Sequence, residues 1–175
     1  MKVLFLDFDG VLNTDKARAE RSEKGLPTCD KYEELFDEEA VENLRLILDS
    51  VPDVLIVVES AWKEALGGIS TLRRMWKDRG MPGKIYGITK DGDNIADLLE
   101  VDLSDFENLA KVMGEGKGRG VRNWLDEHAR GDCRYCIIDD VNEFLPEQIP
   151  FLVSPDSRIG LTDEDALKAI AILNG

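Results

Sequence analysis

The chain has 175 residues, 43% hydrophobic and 33% charged, the balance of a soluble globular protein long enough to bury a sizeable core. Lys and Arg total 22 against 36 Asp and Glu, and the net charge of −14 argues against extended nucleic-acid binding, though not against a local site for one phosphate. No apolar stretch approaches the ~18–20 residues of a membrane span, and the N-terminal apolar run is too short for a signal peptide. With three cysteines and no disulfide framework, the expectation is a cytoplasmic protein with reduced thiols.

Residues 3–6 (VLFL) are a short apolar run of the kind a buried parallel strand needs, and Asp7, Asp9 and Gly10 stop it abruptly. A carboxylate is costly to desolvate without a partner, so this pair must end at water, at a cation or at chemistry. Residues 14–31 are polar, show no clear period and read as an exposed loop or hairpin. Asp37 is placed to cap a helix with Val41, Leu44, Ile47 and Leu48 at helical spacing, Phe36 stapling to Val41.

Residues 54–58 (VLIVV) read as the second strand and run into Glu59, Ser60, Ala61 and Trp62. Taken alone, Ser60 is a helix N-cap. Residues 84–88 read as the third strand. Residues 91–115 are acidic and read as a small insert or lid, with Ser104 placed to cap a short helix.

Lys117 and Arg119 then alternate with Gly116, Gly118 and Gly120 at the start of a helix bearing Val121, Trp124, Leu125 and His128. His128, the one histidine, reads as a packed residue, and the phosphate-loop spacing is absent. Residues 135–138 are the fourth strand, with Cys136 as packing, and lead into Asp139 and Asp140. Residues 151–153 are a fifth. Thr162 and Asp165 stand at capping-box spacing before a last helix carrying Ala166, Leu167, Ile170 and Leu173.

Strands alternating with helices imply βαβ units and a parallel sheet covered on both faces, with ligands bound outside the carboxyl ends of the strands. Asp7, Asp9, Ser60, Asp139 and Asp140 thus share one edge with a cation from the 116–120 loop. Residues 7–12 (DFDGVL) resemble the first motif of the haloacid dehalogenase (HAD) phosphohydrolases. Ser60 resembles their second motif, Lys117 or Arg119 the third, and Asp139-Asp140 the fourth, in order. The LDFDGVLN run, the Ser60 to Lys63 run, Arg119-Gly120 with Trp124-Leu125, Ile138 to Asp140, and Gly160 to Thr162 further resemble the small HAD domains of RNA-repair proteins.

That resemblance implies a three-layer Rossmann-like α/β fold with a central parallel sheet and no large cap, one domain over residues 1–175. It implies a Mg²⁺-dependent phosphatase in which Asp7 is the nucleophile and forms an aspartyl phosphate, and Asp9 is general acid and base. Asp7, Asp140, the Asp9 backbone carbonyl and the neighbouring Asp139 would hold the metal. Gly10, Ser60, Ala61 and Arg119 would contact the substrate, with Lys117 or Arg119 neutralising the phosphoryl group. The substrate is then a phosphomonoester, on a nucleotide, a nucleic-acid end or a protein. Glu59 is out of place for such a site and is expected to point away or bind a cation. The rival readings are a phosphate-accepting signalling module and a degenerate HAD fold serving as an interaction domain.

Overall fold

The computed structural model describes residues 1–90, 116–129 and 131–175. Five strands, β1 (Lys2–Leu6), β2 (Val54–Val58), β3 (Ile85–Ile88), β4 (Arg134–Ile138) and β5 (Leu152–Val153), form one sheet in the order β3-β2-β1-β4-β5. Every pairing is parallel. The short apolar runs become strands because, in a sheet covered on both sides, each residue meets apolar neighbours whichever way it points.

Alternation along the strands splits the core in two. Leu4, Leu6, Ile56, Val58, Cys136 and Ile138 pack on one face, while Val3, Phe5, Val57 and Ile137 pack on the other. The first face is covered by α2 (Glu38–Ser50), α4 (Ile69–Asp78) and α6 (Asp163–Asn174). The second is covered by α5 (Gly116–His128), through Val121 and Trp124. The result is a three-layer Rossmann-like α/β fold.

The caps expected from the sequence form. The Asp37 carboxylate accepts from Glu39 N at 2.9 Å to start α2. Thr162 and Asp165 close a reciprocal capping box before α6. Cys136 is buried, which pushes its thiol up to about 12, and all three cysteines are free. His128 is exposed rather than packed away, though its ring stacks on Trp124 at 4.4 Å and 11°.

Three further local readings need correction. Residues 14–31 are not simply a loop, because α1 (Asp15–Glu23) starts at Thr14, whose hydroxyl accepts from Ala17 N. That helix buries no residue, so it has no apolar stripe for periodicity to detect. Ser60 is not an N-cap either: Ala61 is the residue that precedes α3 (Trp62–Ala65), with no side-chain cap bond. Finally, α3 and α4 fill a stretch where the sequence marked no helix. The acidic 91–115 segment and its expected helix at Ser104 lie outside the described residues. Among the described residues, no helix is long and apolar enough to cross a membrane.

Candidate active site

The hydrogen-bond ladder runs one residue past the strands and sets the site in a row. Asp7 N donates to Ile138 O, Glu59 N to Leu6 O, Thr89 N to Val58 O, and Asp139 N to Val153 O. Asp7, Glu59 and Asp139 follow residues that face α2, α4 and α6, so alternation sends them toward α5. Lys117, in the first turn of α5, meets two of them, its Nζ lying 2.7 Å from Asp7 Oδ2 and 2.7 Å from Asp139 Oδ2. A Cβ on Gly118 would come within 2.6 Å of Leu145 N, so the glycine lets the start of α5 lie against the 144–148 segment that follows β4.

Asp140 completes the cluster, and carboxylate oxygens of Asp7, Asp139 and Asp140 lie within 4.8 Å of one another. Gly10 turns the chain at φ +68°, where a Cβ would sit 2.4 Å from Asp140 Oδ2. The chain reverses tightly there only because glycine has no side chain.

The electrostatics are those of a site short of positive charge. Burial, then the negative charge of Asp7, pushes Asp139 up to about 7 against the opposing pull of Lys117. Burial and Asp7 also raise Asp140. Burial disfavours the Lys117 ammonium too, but the Asp7 and Asp139 carboxylates outweigh it and hold the lysine above its ordinary value, firmly protonated.

Ser60 follows at the end of β2, with its Oγ buried and without a hydrogen-bond partner among the described residues. An unsatisfied buried hydroxyl costs about 1–3 kcal/mol, a cost that an incoming oxyanion would offset. Ala61, beside it, is exposed. Arg119 is two residues beyond Lys117, about 200° around the same helix, so it projects from a different side of α5 than the lysine that meets the acids. Glu59 finds the cation expected of it: Lys63 Nζ lies 3.3 Å from its Oε2 and 3.1 Å from Thr89 Oγ1, and both charged side chains are buried.

Asp9 stands apart from the acid cluster. Its carboxylate is exposed and accepts from the Trp62 indole N–H and the Asn13 side-chain amide. Neither donor was read as functional from the sequence, although both lie inside the LDFDGVLN and Ser60 to Lys63 runs that carried the resemblance.

Residues 3–166 match the family described as the HAD domain in Swiss Army Knife RNA repair proteins. The chain belongs to that family. This HAD domain matches over all four motif regions, from Asp7 to Asp140. No curated protein and no solved structure matches the chain.

Proposed function

We propose that this HAD domain is a Mg²⁺-dependent phosphomonoesterase that works through an aspartyl phosphate on Asp7. The observation that carries the reading is the Lys117 bridge between Asp7 and Asp139, with Asp140 alongside, at the carboxyl ends of two adjacent strands. The site fits a hard divalent cation, because the clustered donors are all carboxylate oxygens and carry three acids against one ammonium. Asp7, Asp139 and Asp140 are the side chains that would hold Mg²⁺, with the Asp9 backbone carbonyl as a further oxygen. Bound there, the ion would offset the repulsion between an attacking carboxylate and a phosphate dianion.

The remaining chemistry belongs to the chain. An Asp7 oxygen bonds phosphorus, while Ser60 Oγ donates to one phosphoryl oxygen and Lys117 balances the charge of the acids around it. Gly10 and Ala61 border the same edge with their backbone groups. Asp9 gives its proton to the departing oxygen and takes one from the water that later cleaves the acyl phosphate. Arg119, set on another side of α5, is a candidate for contacting the rest of the substrate. The family's RNA-repair description makes a terminal phosphate on a nucleic acid the substrate to test first. The charge of −14 fits a site that reads one phosphate better than one that grips a long strand.

The test is phosphate release from a 5′- or 3′-phosphorylated oligonucleotide and from an aryl phosphate, with Mg²⁺ and with chelator, beside Asp7→Asn. Metal-dependent turnover lost in the variant supports the reading. Turnover retained by Asp7→Asn, or unaffected by chelation, sinks it.

A further inference from the structure

Two buried neutral donors converge on one exposed carboxylate. Trp62 Nε1 lies 3.0 Å from Asp9 Oδ1 and 3.1 Å from Asp9 Oδ2, and Asn13 Nδ2 lies 2.7 Å from Asp9 Oδ1. Trp62 is 5% exposed and Asn13 4%. Around the indole stand Phe8 at 5.5 Å and 86°, Phe36 at 5.4 Å and 33°, and the Arg79 guanidinium at 5.5 Å. Asn13 is tied to the same turn by its N–H to Phe8 O at 3.1 Å. Packing on three sides leaves the indole one orientation, and its N–H points at the acid.

We infer that Trp62, helped by Asn13, is a positioning residue that fixes the Asp9 carboxylate for proton transfer to the leaving group. The inference rests on the phosphatase reading above. A carboxylate oxygen has two lone pairs. Among the described residues, Oδ1 accepts from both Asn13 and Trp62, whereas Oδ2 accepts from the indole alone. Oδ2 therefore keeps a lone pair and is the oxygen that carries the proton. In the first step that proton passes to the leaving oxygen as its bond to phosphorus breaks and the Asp7 oxygen–phosphorus bond forms. In the second, water gives a proton to Oδ2 as its oxygen bonds phosphorus and the Asp7–phosphorus bond breaks. Neutral donors aim the carboxylate without adding a charge beside the acid cluster.

The experiment compares 4-nitrophenyl phosphate, whose leaving group departs readily without a proton, with an aliphatic phosphate monoester, which needs one. Trp62→Phe keeps a ring in the packing and removes the N–H. Its kcat is expected to fall further on the aliphatic ester, changing the ratio of the two kcat values about tenfold or more, with KM little altered. Adding Trp62→Phe to Asp9→Asn should leave that ratio where Asp9→Asn puts it. Independently of turnover, the indole proton resonance of Trp62 should move upfield in Asp9→Asn. Asn13→Ala should shift the ratio the same way by a smaller factor, and it replaces Trp62→Phe if that variant does not fold. An equal fall on both esters overturns the inference, as does an indole resonance indifferent to Asp9→Asn. Wild-type protein that hydrolyses neither ester nor the phosphorylated oligonucleotides is a different result, the failure of the phosphatase reading itself.

Discussion

At the end of β2, Lys63 lies 3.3 Å from Glu59, and the two side chains are 3% and 4% exposed. At the ends of β1 and β4, Lys117 lies 2.7 Å from both Asp7 and Asp139, with 21% of its side chain open to solvent. Both are a lysine on a carboxylate at the same sheet edge. The first lysine is enclosed, and it also donates to Thr89 Oγ1. The second meets two buried acids beside the half-buried Asp140 and is itself partly open to solvent. Charge at a strand end becomes a site when the local balance is incomplete and a ligand can reach it. Glu59, which looked out of place beside Ser60, belongs to the enclosed pair.

Breaking the enclosed pair should have the largest effect. Lys63→Met takes a cation away from the buried Glu59 carboxylate and is expected to destabilise by up to about 3–5 kcal/mol. Glu59→Gln added to Lys63→Met should recover part of that loss, because the buried negative charge that faced the lysine is gone. Thermal unfolding of the three proteins checks both statements, and a double variant no better than Lys63→Met would refute this account of the pair.

Lys117→Met acts on the open cluster instead, and kcat on an aryl phosphate should fall about 10²–10³-fold. Lys117→Arg should restore little, since a planar fork does not replace a point charge between two carboxylates. Arg119→Met, on another side of α5, should cost much less on the same small substrate. Equal losses in Lys117→Met and Arg119→Met would remove the distinction drawn between them.

Gly10→Ala tests the approach of Asp140. A side chain at φ +68° costs about 1–2 kcal/mol, and its Cβ would displace the Asp140 carboxylate. The expected result is a modest drop in Tm with a weakened Mg²⁺ requirement curve, read as a higher half-saturating Mg²⁺ concentration.

The smallest effect concerns pH. Arg79 donates to both Asp30 oxygens and holds that carboxyl down to about 2, helped by backbone N–H groups, against the counter-effect of burial. Its folded value lies below its unfolded one, so its contribution is complete above about pH 4 and is lost as pH falls toward about 2. The pair is partly exposed, so the contribution is under about 1 kcal/mol. Asp30→Asn should lower Tm slightly at pH 7 and not at pH 2.

Residues 3–6, 54–58 and 135–138 were legible as strands because a doubly covered sheet writes itself as short, wholly apolar runs, and residues 84–88 and 151–153 at its two edges carry shorter apolar signals. The caps at Asp37 and Thr162 were legible because capping is local chemistry. Helix α1 was not, since it buries nothing, although its composition of good helix formers hints at it. The motif order from Asp7 to Asp140 marked one sheet edge and a family. It could not say whether Lys117 or Arg119 meets the acids, because that turns on where α5 begins and which side faces the sheet. It could not show that Ser60 Oγ has no partner among the described residues, that Glu59 pairs inside with Lys63, or that Trp62 and Asn13 donate to Asp9. Sequence by itself determined which residue types end each strand, since strand and cap signals act over a few neighbouring residues. Tertiary structure alone decided which charges face each other, because that depends on the packing of segments more than a hundred residues apart, as Lys117 is from Asp7.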